Sequence, residues 1–187
     1  MLRTTLIALS ASYIVLLGGC TGLPAQHGTS DDQVEATPEP DAGFAWLQAR
    51  DRIGARVGVG YEIEVQTMDD GALLLRLPAA EGFAPDSAAP TPALRAMLEH
   101  VAAALAEAPD TEVRVLGHTD GLGSELYNLQ LSIQRAEAVM EYLRTRGISL
   151  ARLSADGRGE AEPIADNASE SGRAVNRRVE VVVRPFH

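Results

Sequence analysis

The chain has 187 residues and a mass of 19.8 kDa, room for one domain of ordinary size and a tail but not for two full domains. At 45% apolar it can bury a sizeable core. Its 16 basic residues are all Arg and face 26 acids, a formal charge of −10 that excludes a general nucleic-acid binder. The imbalance is uneven: residues 20–110 carry five Arg against 15 acids, and residues 111–187 carry ten Arg against 11. The C-terminal part is charge-dense but balanced, as suits a surface that recognises a zwitterion.

Arg3, the apolar run Leu6 to Leu17 and the small-residue stretch Leu17-Gly18-Gly19-Cys20 resemble a bacterial lipoprotein signal. The apolar run is too short to span a bilayer, which takes about 20 residues. The expectation is therefore a signal peptide over 1–19 and a lipid on Cys20, the single cysteine of the chain. Thr21 after the cysteine, where an Asp would signal inner-membrane retention in enterobacterial-type sorting, points to the outer membrane. Residues 20–42 are polar, acidic and rich in Pro, Gly, Ser and Thr, and read as a flexible tether. Stretched, about twenty residues reach at most roughly 70 Å.

Residues 43–71 are expected as an N-terminal extension with a strand. Phe44, Trp46, Leu47 and Ile53 among Arg and Gly allow an amphipathic turn or two. Tyr61, Ile63 and Val65 then alternate with Glu62, Glu64 and Gln66, Asp70-Gly71 supplies a tight turn, and Leu73, Leu75 and Leu77 complete a β-hairpin. Residues 78–90 read as a loop. Thr91-Pro92 marks a helix start, and Leu94, Leu98, Val101 and Leu105 form one helix face ending before Pro109. A strand from Val113 to Leu116 runs into Gly117-His118-Thr119-Asp120-Gly121, and a helix spans about 126–146 with Gly147 as its left-handed stop. Leu153 to Asp156 reads as a strand. In the last strand, Arg178 to Arg184, Val179, Val181 and Val183 share one face and Val182 implies burial on the other. Strands alternating with helices predict an α/β sandwich of α+β type, two helices packed on one face of a mixed sheet.

Three separated stretches, GHTDGLGSELYNLQLSIQRAEAVMEYLRTRGI, RLSADGRGEAEPIADN and GRAVNRRVEV, resemble in order the OmpA-like C-terminal domain family, which includes the peptidoglycan-associated lipoprotein. The resemblance runs from about Ala72 to Val183 and implies a domain over 72–187 with the element order βαβαββ. It also implies non-covalent binding of peptidoglycan through the diaminopimelate of uncrosslinked stem peptides, with no enzymatic activity and no cofactor or metal. The Asp of the family's HTD-type motif falls on Asp120, and the Arg of its N-x-x-L-S-x-x-R pattern on Arg135. Phe83-Ala84 departs from the family, where many relatives place an Asp after that Phe; the departure removes a supporting acidic contact and bears on affinity.

Helical geometry agrees. Asn128 and Arg135 are seven residues apart and share nearly one face. A long Arg135 side chain leans toward the helix N-terminus and so toward the loop that carries Asp120. Asp120 can accept from an ammonium while Arg135 forks onto the carboxylate of the same amino-acid centre. Spacing alone fits a structural Asp120–Arg135 salt bridge equally well, and Asn128 is as compatible with a helix cap as with ligand contact. Thr119, through its hydroxyl, and Leu131, as pocket wall, are candidate second contacts. Of Arg177 and Arg178, adjacent on a strand and so on opposite faces, Arg177 joins the candidate site and at least one of the two is structural. Gly172, Arg173 and Asn176 shape the turn before the last strand.

No enzyme reading gathers support. His27, His100, His118 and His187 are scattered without zinc-ligand spacing, no Ser stands in a nucleophile-elbow pattern, and Gly121-Leu122-Gly123 lacks the third glycine of a phosphate loop. His118 reads as a structural or loop-orienting residue. The leading expectation is a wall-binding lipoprotein anchored in the outer membrane, its domain facing the periplasm. The alternative is an envelope protein-interaction lipoprotein whose acidic hairpin around Glu62 to Asp70 docks a partner protein in a trans-envelope complex. A wall-modifying hydrolase is a third reading, without a visible nucleophile or metal.

Overall fold

The computed structural model describes residues 41–84 and 87–186. The signal peptide, the lipidation of Cys20 and all but the end of the tether lie outside the described residues.

Asp41 caps the first helix, accepting a hydrogen bond from Gly43 N at 3.2 Å, and α1 runs Ala42–Val57. It is longer than the turn or two expected, because only Trp46, Ala49, Ile53 and Val57 meet the core and glycines and arginines dilute the pattern between them. A hairpin follows, β1 Glu64–Thr67 and β2 Leu73–Pro78. Its turn is closed by Asp70 Oδ1, which accepts from Ala72 N at 3.0 Å, and by Gly71 at a φ of 82°. Thr91 caps α2, Pro92–Ala106, accepting from Leu94 N at 3.4 Å with Pro92 in the first turn. Leu94, Leu98, Val101 and Leu105 all turn inward, as their spacing predicts.

Strand β3, Thr111–His118, leads to α3, Glu125–Thr145, which stops at Gly147 in the left-handed region. A 3-10 turn at Leu150–Arg152 opens into β4, Leu153–Gly159; a short helix α4, Glu170–Asn176, then precedes β5, Arg178–Pro185. The sheet order is β1-β2-β5-β3-β4, with only the β3/β4 pair parallel. That pair needs the α3 crossover; the remaining pairs are antiparallel. From β2 onward the order is the expected βαβαββ, with α4 inserted before the last strand.

The fold is a mixed sheet with helices on one face. Leu73, Leu75, Leu77, Val113, Val115, Val179, Val181 and Val183 form the sheet side of a single core, met by α1, α2 and α3. Residues 43–71 thus share the sheet and core of the domain that follows. On the opposite face Ala72, Leu74, Leu116 and Val182 make a small second cluster, the burial anticipated for Val182. Around it lie cross-strand ion pairs: Arg76 with Glu64 and Glu180, Arg114 with Asp156, and Arg184 with Asp70.

Candidate functional site

The site is built where β3 ends against the first turns of α3. Strand and helix approach so closely that a Cβ on Gly117 would collide with the Ser132 carbonyl, and one on Gly157 of β4 with the Ser132 hydroxyl and Ile133. Ser132 Oγ accepts from Gly159 N at 2.9 Å and donates to Leu129 O at 2.7 Å, fastening β4 to α3. Thr119 N donates to Gly159 O at 2.9 Å, so β3 is still registered with β4 where the candidate residues begin.

Asp120 is 8% exposed, and both carboxylate oxygens are engaged. Oδ1 accepts from Leu122 N at 3.0 Å, and Oδ2 lies 2.6 Å from Arg177 Nη1. The other arm of that guanidinium, Nη2, is 2.8 Å from Glu170 Oε1, and Arg173 holds the second Glu170 oxygen at 2.7 Å. Burial pulls the Arg177 pKa down, but the carboxylates of Glu170 and Asp120 outweigh it and the net shift is upward. Glu170 in turn is held below its ordinary value, by Arg177 first and Arg173 second. Among the described residues the ion pair of Asp120 is with Arg177 and not with Arg135, so the salt bridge compatible with the spacing is not formed.

Arg135, 9% exposed, belongs to a different contact set. Its guanidinium carbon lies 4.9 Å from the centroid of the Phe83 ring, and Nε donates to Ser87 O at 3.1 Å, both on the segment between β2 and α2. Ala84, beside Phe83, is exposed, and no carboxylate stands at that position. Leu131 is half-buried one turn before Arg135. The Thr119 hydroxyl is buried and has no hydrogen-bond partner among the described residues.

Asn128 is neither cap nor exposed ligand group. Ser124 caps α3 by accepting from Tyr127 N at 3.3 Å. The buried Asn128 amide donates to Asp120 O at 3.3 Å, to Leu122 O at 3.0 Å and to Glu160, so it ties the loop after β3 to the helix. Arg178 is the structural member of its pair: buried, it contacts Glu180 at 2.8 Å and Glu162 O at 3.0 Å. Gly172, Arg173 and Asn176, expected in a turn before the last strand, lie instead in α4, and Asn176 fastens the loop ahead of that helix, accepting from Ile164 N and Ala165 N and donating to Asn167 Oδ1, all at 2.9 Å. His118 is buried with Nε2 3.6 Å from Glu180 Oε2. Burial raises the Glu180 pKa, yet His118 and Arg178 together bring it down to about 2.

Glu160, Glu170 and Asn167 were not legible as site residues. Asn167 Oδ1 accepts from Gly121 N at 3.0 Å and so supports the Asp120 loop, but its sequence surroundings, with Asp166 accepting from Ala168 N at 2.9 Å, signal only a turn. Among the described residues no group of three or more His, Cys, Asp or Glu side chains is placed to hold a metal ion.

Residues 82–177, slightly more than half of the chain, match the OmpA family, and they include the contact partners given above for Asp120, Asn128 and Arg135. The chain belongs to the OmpA family. Its similarity to the outer-membrane lipoprotein YfiB of Pseudomonas aeruginosa is 36% identity over 179 residues, 95% of this chain and 92% of that protein. Peptidoglycan-binding protein ArfA of Mycobacterium tuberculosis is 46% identical over 101 residues, 54% of this chain but 31% of ArfA. The probable lipoprotein YiaD of Escherichia coli and outer membrane porin F of Pseudomonas fluorescens are matched over 66% and 26% of their own length. The crystal structure of the peptidoglycan-associated lipoprotein from Burkholderia pseudomallei superposes with a TM-score of 0.51 at 33% identity, over 55% of this chain and 86% of that one. The OmpA fold is therefore shared, and the α1 segment lies outside the matched family region.

Proposed function

We propose that this OmpA-family chain binds peptidoglycan non-covalently and without catalysis, through the diaminopimelate centre of a stem peptide, and that a lipid on Cys20 tethers it to the outer membrane with the domain in the periplasm. The observation that carries this reading is the end of β3: a shielded Asp120 carboxylate in fixed orientation, next to a buried Thr119 hydroxyl without a partner among the described residues. Asp120 accepts from the ammonium, and the Arg135 guanidinium on Phe83 supplies the fork for the carboxylate of the same centre. Charge-assisted hydrogen bonds of this kind contribute roughly 1.5–3 kcal/mol each, enough for selectivity with modest affinity. The names of ArfA and of the peptidoglycan-associated lipoprotein support the ligand class, and that of YfiB supports the envelope location.

The test is co-sedimentation of residues 20–187 with purified sacculi, for the native sequence and for Asp120→Ala and Arg135→Ala. Loss of binding in both variants with unchanged circular dichroism is the expected result; equal binding by all three rejects the site. A second reading, membership of a trans-envelope protein complex, draws on α1, which lies outside the matched residues 82–177 and leaves Phe44 and Leu47 exposed. In that case sacculus binding is dispensable, and substitutions on α1 and the hairpin, rather than at Asp120, abolish function.

A further inference from the structure

The first half of α1 has an unusual surface. Residues 42–49 carry no charged side chain, and within them Phe44 and Leu47, one turn apart, are 58% and 45% exposed. Neither belongs to the core that α1 meets through Trp46, Ala49, Ile53 and Val57. The second half of the helix carries Arg50, Arg52 and Arg56, of which Arg50 pairs with Asp51 and Arg56 with Glu107. Arg52 is exposed and has no ion-pair partner among the described residues. Thus one helix presents an aromatic and aliphatic pair at its N-terminal end and the Arg52 cation about two turns further on. That end is also the nearest to the anchor, since 21 residues separate Cys20 from Ala42.

We propose that α1 docks on the phospholipid surface N-terminus first, with Phe44 and Leu47 entering the acyl boundary and Arg52 reaching a headgroup phosphate. The inference rests on the lipid anchor read above, which holds α1 at high effective concentration beside the membrane and makes a two-residue wedge sufficient. Without the tether, so small an apolar surface binds a bilayer weakly. Docking would set the distance and orientation of the wall-binding end of the sheet relative to the membrane.

The chain offers its own probes, a single thiol and a single tryptophan, Trp46, in the same turn of α1 as Phe44 and Leu47. Residues 20–187 are coupled through Cys20 to a maleimide phospholipid in vesicles of phosphatidylethanolamine and phosphatidylglycerol, with or without brominated acyl chains. Trp46 fluorescence should be quenched by the brominated lipid in the native sequence, and the quenching should be lost in Phe44→Ser/Leu47→Ser, whose circular dichroism and sacculus binding stay native. Absence of quenching in the native chain overturns the proposal, as does equal quenching in the double variant. The coupling bypasses cellular lipidation, so a mass spectrum showing unmodified Cys20 in cells would reject the anchor without altering the vesicle result.

Discussion

Arg177 Nη1 lies 2.6 Å from Asp120 Oδ2, joining the junction between α4 and β5 to the loop that follows β3 across 57 residues of sequence. Arg177 orients the acid while staying about a quarter exposed, where an ion pair adds little stability, commonly 1 kcal/mol or less. Arg177→Gln should therefore leave the thermal midpoint within a few degrees of native. Sacculus affinity should fall about tenfold, roughly 1.4 kcal/mol, because the carboxylate loses its fixed direction. A binding isotherm beside a melting curve separates the two effects.

Arg135→Lys retains the charge but not the planar group stacked on Phe83. A lysine is a point charge that cannot place two parallel hydrogen bonds on a carboxylate. Sacculus binding is expected to drop by about tenfold, close to the loss in Arg135→Ala, with little change in stability. Near-native binding by the lysine variant would mean that charge alone is read at this position.

Gly117→Ala tests the closeness of β3 to α3. The added methyl meets the Ser132 carbonyl, part of a helix backbone that cannot yield alone. Overpacking of this sort costs typically 1–3 kcal/mol and more when backbone must move, so about 3 kcal/mol is expected by urea denaturation. Binding should weaken as well, since the shifted helix carries both Asn128 and Arg135.

Glu180 gives the domain a defined acid sensitivity. Burial opposes its ionisation, but His118 and Arg178 hold its pKa at about 2, against 4.5 for an ordinary Glu. With the folded value depressed, the stabilisation is fully present above pH 4.5 and is lost as the pH falls from there toward about 2. Its size is on the order of 2–3 kcal/mol. Glu180→Gln should be less stable than native at pH 7, and the gap should narrow through that window. Parallel curves for the two proteins would show that the pair with Arg178 does not govern acid unfolding.

The strands and helices were legible where side-chain periodicity is strong. The alternation in β2 and β5, the four-residue recurrence in α2, and the stops at Gly71 and Gly147 are all local statements, settled by neighbours a few residues apart. The start of α1 was not, because its apolar residues divide between a core face at Ile53 and Val57 and a solvent face at Phe44 and Leu47, which blurs any single period. At the site, Asp120, Arg135 and Thr119 stood out by residue type and motif. Asn128 could not be resolved between cap and ligand, since either use leaves the same residue near a helix start, and it proved to be a loop tie.

What the amino-acid sequence determined by itself was the order of the strands and of α2 and α3, the core face of β2 and β5, and Asp120 and Arg135 as candidate site groups, because hydrophobic periodicity and turn chemistry act over a few residues. What only the tertiary structure decided was who meets whom. Asp120 pairs with Arg177 rather than Arg135, Arg135 stacks on Phe83, and Asn167 supports Gly121 from 46 residues away. Those contacts follow from the sheet order and from the bare backbones of Gly117 and Gly157, which let α3 settle against the sheet at one height. The strength of an ion pair depends on distance and burial, and neither exists until the chain has closed.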